Sequence, residues 1–315
     1  MSFFAILLAF LIEQARPLSR DNFVHANIRG WVSWVTRNCD TGRPHHAWLV
    51  WSGAVVLPAL IASVIHWVLM VYLGWLFAVI WSVAILYLTL GFRQFSYHFT
   101  QIRMALEAGD EEESRRLLAI WQQIDANDIP RREIIRHVIE FSILSAHRHV
   151  FGVLVCFSVF AAIGMGPAGA IVYRLSDYVA RDWKNASPIN GHVVSEASQV
   201  LAISVWRIID WLPARLTALG FAVVGSFEEA IDRWRNFQSK GLEDNDGLIL
   251  AATSGAVGIN LGEPVLDSKS SEGDTPDINQ EPQLSHLTTI VGLVWRSVVM
   301  WMVLLALSTF ARLLG

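Results

Sequence analysis

The chain is short of charge, of cysteine and of anything that looks like a secretory leader. Asp, Glu, Lys and Arg make up only 17% of its 315 residues, against about a quarter in soluble domains. The formal net charge of −4 gives no electrostatic case for a nucleic-acid partner. Two cysteines, Cys39 and Cys156, stand far apart, and Cys156 lies in an apolar run. That argues against a disulfide framework and against a cysteine metal site. The opening "MSFFAILLAFLIEQARPL" has neither a basic n-region nor an A-x-A-type cleavage site. It reads as a retained, short hydrophobic helix. No Walker-type phosphate loop is present, and no internal repeat. Without a repeat, and with few charges in the apolar runs, a transporter is the weaker class.

What the chain has is apolar sequence. Apolar residues make up 53%, there are 14 tryptophans, and mean hydropathy is +0.41. From Ala47 to Gly91 no Asp, Glu, Lys or Arg occurs. A bilayer crossing takes about 20 apolar residues, so this run predicts two spans with a reversal near Met70–Gly74. His149–Tyr173 carries no fully charged residue and predicts a third span. "TTIVGLVWRSVVMWMVLLALSTFARLLG" predicts a fourth, with Arg296 near one end, where it can snorkel. Met1–Ile12 and Leu216–Gly225 are too short to cross alone.

Between the second and third spans lies a polar block, 92–148. Ile102, Leu106, Leu117, Leu118, Trp121, Ile134, Ile135, Val138 and Ile139 recur at helical spacing. They predict two amphipathic helices, the second opening at Pro130. The basic residues of this lobe are all arginine and are the densest in the chain, which places it on the cytoplasmic side by the positive-inside rule. Ser226 and Glu229 spell a capping box at the start of another helix. The Ser-, Asp-, Glu- and Pro-rich stretch after Glu263 reads as a flexible linker. The expected organisation is all-α and polytopic with about four transmembrane helices. Its parts are an N-terminal segment over 1–46, a hairpin over 47–91, the lobe over 92–148, a motif region over 149–262, the linker over 263–286 and a final span over 287–315.

Gly164, Gly166 and Gly169 in "AAIGMGPAGAIVYRL" spell the G-x-G-x-x-G of a dinucleotide loop. Such a loop follows a strand, opens a helix and has an acid about 20 residues on. Here Pro167 interrupts an apolar run, and Asp177 and Asp182 come too soon. The glycines are better read as helix packing or a broken helix.

Several polar residues stand where chemistry could occur. Asp210 could handle a proton near the membrane or pair with Arg207, Arg174 or Arg215. Arg215, after Pro213 at an expected helix entrance, suits a phosphate or carboxylate. His147 and His149 lie two apart, so a helix would not bring them together on a metal; His45 and His46 are read the same way. Arg93, Gln94, Tyr97 and His98 could line a cleft below the membrane or form an interface belt.

"GPAGAIVYRL" (166–175), "DWLPARLTAL" (210–219) and "DNDGLILAATSGAVGINLGEP" (244–264) together resemble the CobD/CbiB family of membrane proteins. "SRRLLAIWQQID" (114–125) resembles that family's arginine-containing helix. The resemblance implies a role in cobalamin biosynthesis and adenosylcobinamide-phosphate synthase activity. This is the ligase-like amide joining of cobyric acid, a corrinoid, to an aminopropanol arm, with ATP and magnesium. It implies a bacterial-type inner-membrane location. Asp210 and Asp177 are read as the candidate catalytic carboxylates, with Arg215, Arg174, Asn245 and Tyr173 binding substrate, although Asp210 stands where the family has an asparagine before the tryptophan and Asp177 opens the stretch where the family has an Asn-Thr-Leu-Asp run. Where the family reads Ala-Glu-Asn-x-x-Asp-Gly, this chain keeps Ala146 and Gly152 and has His147, Arg148 and Phe151 between them. Where the family carries a paired aspartate, Trp206 and Arg207 stand. "FLIEQARPL" (10–18), "IDWLPARL" (209–216) and the closing helix also resemble AmpE, which implies a non-catalytic accessory or signalling protein instead.

Overall fold

The computed structural model describes residues 2–16, 23–122, 125, 129–185, 194–239, 241, 244–261 and 281–314. Among them the regular structure is helical, with no strand. In chain order the helices are α1 (Ser2–Ala15), α2 (Phe23–Cys39), α3 (Pro44–Tyr72), α4 (Trp75–Thr89), α5 (Phe92–Ala108), α6 (Glu111–Gln122) and α7 (Arg131–Ala146). A π-helical turn (His147–Phe151) leads into α8 (Gly152–Ala162), followed by α9 (Ala168–Lys184), α10 (Glu196–Val224), α11 (Phe227–Ser239), α12 (Asn245–Val257) and α13 (Leu284–Leu314). Most of the expected linker, and the end of the "NLGEP" motif, lie outside the described residues.

Among the described residues, three helical segments are long and apolar enough to cross a membrane: Pro44–Tyr72, Arg131–Ala162 and Leu284–Ala311. The chain is a membrane protein on that ground. The expected second span, α4, is apolar but only 15 residues long, short of the usual crossing length. The reversal between α3 and α4 falls at Leu73–Gly74, with Gly74 at φ +93°.

The expected third span is not one helix. His149–Tyr173 is interrupted at 163–167, where Gly164 (φ +85°) and Gly166 (φ +59°) take the left-handed backbone that favours glycine. Pro167 then caps the N-terminus of α9, where its missing N–H costs little. The membrane-length segment is instead Arg131–Ala162, 32 residues running from α7 through the π-turn into α8. A sequence window that weighs charge alone does not detect such a join.

Two compact units make up the structure. The first comprises 1–94, 148–213 and 304–315. In it α8 and α9 form a tight antiparallel hairpin. A Cβ on Gly169 would sit 2.1 Å from the Cys156 carbonyl oxygen, and one on Gly152 would sit 2.0 Å from the Tyr173 ring. The hairpin turn meets α3, where Ser63 Oγ donates to the Met165 carbonyl at 3.1 Å. A Cβ on Gly166 would lie 2.5 Å from the His66 ring. So the three glycines of the G-x-G-x-x-G spelling serve a turn and a close helix contact. Val50, Trp51, Val55, Leu175, Val179 and Trp183 build the apolar core beside it. The α2–α3 connection is fastened by Asp40, which accepts from Ser195 N at 2.9 Å and Ser195 Oγ at 2.8 Å just before α10.

The second unit comprises 95–147 and 214–303. Ile102, Leu106, Leu118, Trp121, Ile134, Ile135, Val138 and Ile139 are all buried, as the helical spacing requires, while Leu117, expected on the same stripe, is only half-buried. Arg131 Nη2 donates to the Leu106 carbonyl at 2.9 Å, and Arg115 Nε donates to the Ile129 carbonyl at 2.8 Å. These bonds tie the ends of α5–α7 together. Elsewhere in the unit α11 and α12 pack closely: a Cβ on Gly255 would meet the Glu229 carbonyl oxygen at 2.3 Å. Asp244 caps α12 by accepting from Asp246 N and Gly247 N.

Candidate functional site

The polar side chains of the first unit gather where the α8–α9 hairpin opens. Tyr173, on α9, is fully buried, and its hydroxyl donates to Asp210 Oδ1 at 2.8 Å. Asp210, on α10, is itself buried. The Tyr173 ring lies against Trp206 with centroids 5.1 Å apart. It also covers the backbone of Gly152, which has no side chain to obstruct it. One face of α9 then carries Arg174, Asp177 and Arg181, spaced three and four apart, so all three side chains meet. Arg174 Nη1 donates to Asp177 Oδ2 at 3.3 Å. Arg181 reaches Asp177 Oδ1 with Nε at 2.8 Å and Nη2 at 2.7 Å.

Asp177 is 5% exposed. Burial alone would raise its carboxyl, but the charges of Arg181, Arg148 and Arg174 outweigh it and hold the group below the ordinary carboxylate range. Arg148 comes from the π-turn. Such turns insert a residue into a helix and often occur at functional sites. Here the turn brings the Arg148 charge to bear on both Asp177 and Arg174.

The second unit holds the remaining expected pair. Arg215 Nη1 lies 3.5 Å from Asn245 Oδ1, the first residue of α12. Arg215 is not at a helix entrance, because α10 runs unbroken from Glu196 to Val224 with Pro213 inside it. A proline removes one backbone donor from a helix, and Ala214 and Ala218, both fully buried beyond it, keep this one packed. Tyr173, Arg174, Asp177 and Asp210 thus stand in one unit, and Arg215 and Asn245 in the other.

Sequence reasoning gave Arg148 and Arg181 no part in binding. The signal for Arg181 was present in the Arg-x-x-Asp-x-x-x-Arg spacing of 174–181. The π-turn has no comparable periodic signal. His147, expected at the membrane boundary, is fully buried, and its Nδ1 shares a 2.9 Å hydrogen bond with Thr217 Oγ1. His46 Nδ1 pairs with Thr41 Oγ1 at 2.5 Å. Among the described residues no three His, Cys, Asp or Glu side chains gather as metal ligands. Of the expected cleft lining, the side chains of Arg93, Gln94 and Tyr97 lie outside the described residues, while His98 stacks on Trp121 with centroids 6.1 Å apart.

The family model described as CobD/Cbib protein matches residues 3–181. That range takes in Arg148, Tyr173, Arg174, Asp177 and Arg181. The chain belongs to the CobD/CbiB family. It is 27% identical over 264 residues to the cobalamin biosynthesis protein CobD of Stutzerimonas stutzeri (strain A1501), covering 82% of this chain and 81% of that one. It is 30% identical over 190 residues to the protein of the same name from Chromobacterium violaceum, covering 59% and 57%. No solved structure matches it.

Proposed function

We propose that this CobD/CbiB-family membrane protein acts in cobalamin biosynthesis as an amide-forming, adenosylcobinamide-phosphate synthase-like enzyme of the bacterial inner membrane. The observation that carries the reading is the buried Tyr173–Asp210 bond beside the Arg174–Asp177–Arg181 face. Joining a carboxyl to an amine breaks a C–O bond of the acid and an N–H bond of the amine. The acid must therefore be seated and activated so that its oxygen can leave, the amine must be seated, and a group must take the amine's proton. Arg174 suits the acid, because a guanidinium fork matches a carboxylate or phosphate. Asp210 suits the proton, held in position by the Tyr173 hydroxyl. Asp177 has guanidinium donors at both oxygens, which suits a positioning part for the two arginines. Arg215 and Asn245 are read as a further substrate contact.

Magnesium and ATP, which the resemblance implies, find a poor fit in this cluster. Magnesium wants carboxylate, carbonyl and water oxygens in octahedral array. Here Asp177 is already engaged by arginines, and three guanidiniums bear on the same spot.

A second reading is the AmpE-like accessory protein, favoured by the neutralisation of Asp177 between two arginines. One assay separates the two. Membranes enriched in the protein are given adenosylcobyric acid, aminopropanol phosphate, ATP and magnesium, and the amide product is sought by mass spectrometry. The enzyme reading expects product above empty membranes. Absence of product from folded protein favours the accessory reading.

A further inference from the structure

The first turns of α3, and the helix before it, turn tryptophan and arginine outward. α3 has 29 residues, which makes it about 43 Å long. The hydrocarbon core of a bilayer is about 30 Å thick, so one end of α3 stands in the headgroup layer. The far end is apolar through Val71, Tyr72 and Leu73. The near end carries Arg43, His45 and His46, so the near end is the one that emerges. α2 packs there. Val32 and Val35 of α2 share a core with the α3 residues between Val50 and Val56, and a Cβ on Gly53 would lie 3.4 Å from Val35 Cγ1. That level places α2 at the membrane surface.

The outward face of α2 carries Trp34, which is 56% exposed, and Arg37 three residues on. Trp48, 53% exposed, and Arg43 stand at the start of α3. Each of these tryptophans is braced by a more buried one. Trp34 stacks on Trp31 with centroids 5.5 Å apart, and Trp48 meets Trp51 edge-on at 6.2 Å. The one acid between Phe23 and His46 is Asp40, which is engaged by Gly42 and Ser195. Among the described residues neither Arg37 nor Arg43 forms an ion pair. Arg29 is set apart from them: it acts on Tyr178, whose hydroxyl donates to Asp182 at 3.2 Å.

We propose that Trp34, Arg37, Arg43 and Trp48 form a membrane-surface seat for the headgroups of anionic phospholipids. The inference goes beyond the proposed function and does not depend on the amide chemistry. Indole rings settle at headgroup level, where the apolar body and the N–H both find suitable surroundings. Basic side chains beside a span are drawn to anionic lipid. The chain runs directly from this seat into the span at Pro44, which holds the seat at that depth.

The test uses the full-length Cys156→Ser protein with a fluorophore on Cys39, which is exposed at the end of α2. It is placed in nanodiscs of mixed phosphatidylcholine and phosphatidylglycerol, with one lipid or the other nitroxide-labelled near the carbonyl end of its acyl chain. Quenching by both lipids is expected, with phosphatidylglycerol preferred about fivefold at low salt. The preference is expected to fade at high salt. It is expected to vanish in the Arg37→Gln, Arg43→Gln double variant, with quenching by phosphatidylcholine kept. Trp34→Ala combined with Trp48→Ala is expected to weaken quenching by both lipids. No quenching by either lipid, the result if a second copy or another protein covered α2, overturns the seat. Equal quenching by the two lipids, a preference that the arginine variant leaves intact, or an unchanged response in the tryptophan variant does the same. If the arginine variant does not fold, salt decides, since a preference that salt does not weaken also overturns the seat.

Discussion

At the site a glycine lies directly under a ring. Gly152 lies under Tyr173 so closely that any Cβ would be 2.0 Å from the ring. Gly152→Ala must move either the tyrosine or α8. An overpacked site of this kind costs roughly 1–3 kcal/mol. Gly30, in α2, has nothing within 4 Å of an added Cβ, and alanine there is expected to be neutral or to add about 0.5–1 kcal/mol. Thermal unfolding of the two variants in detergent should therefore move in opposite directions or leave Gly30→Ala unchanged. Equal stability of wild type and Gly152→Ala would contradict the packing described. Tyr173→Phe keeps the ring and removes the hydrogen bond to buried Asp210. It is expected to lower stability by about 1 kcal/mol or more, read in the same unfolding experiment.

Between elements, one carboxylate fastens the start of α10 to the α2–α3 connection. Burial tends to raise Asp40, but hydrogen bonds from Ser195 N, Gly42 N and Ser195 Oγ, with Ser198 adding to them, lower it by more. A carboxyl depressed in the folded state contributes stability above its unfolded value, near 3.9. That contribution is lost as pH falls through the lower folded value. Unfolding of wild type should show this loss below about pH 4, and Asp40→Asn, which has no carboxyl to titrate, should lack it. An identical acid limb in both proteins would contradict the clamp. Much at this scale could be read from the sequence. The helical periodicity of 102–139 marked the lobe core, and Met70–Gly74 bracketed the α3–α4 reversal. The glycine-rich stretch reads as helix packing or a broken helix, and the structure breaks there; that the chain doubles back is not legible, because an apolar run reads as a span whether it continues or turns. Gly164, Gly166 and Pro167 were the only local signs of the break. The π-turn escaped for a related reason: it breaks the 3.6-residue period without changing composition. So the α9 face could be read from the Arg174, Asp177 and Arg181 spacing, while the part of Arg148 depended on tertiary structure.

For the whole molecule, membrane orientation and activity are the consequences to test. The positive-inside rule predicts that the arginine-dense lobe faces the cytoplasm. Glu112 stands exposed at the start of α6. Glu112→Cys, with Cys39 and Cys156 replaced by serine, should react with an impermeant maleimide in inverted vesicles and stay protected in intact cells. Labelling from outside intact cells would reverse the assignment. The central claim is that the buried Asp210, held by Tyr173, handles the amine's proton in amide formation. Asp210→Asn keeps the size of the side chain and an oxygen that can accept from Tyr173, but it removes the base. The most direct test is the rate of amide product from Asp210→Asn against wild type, both in nanodiscs and both shown to be folded. A general base in this position predicts a loss of about 100-fold or more. A rate within about twofold of wild type would contradict the account, since general-base catalysis of this size cannot disappear unnoticed.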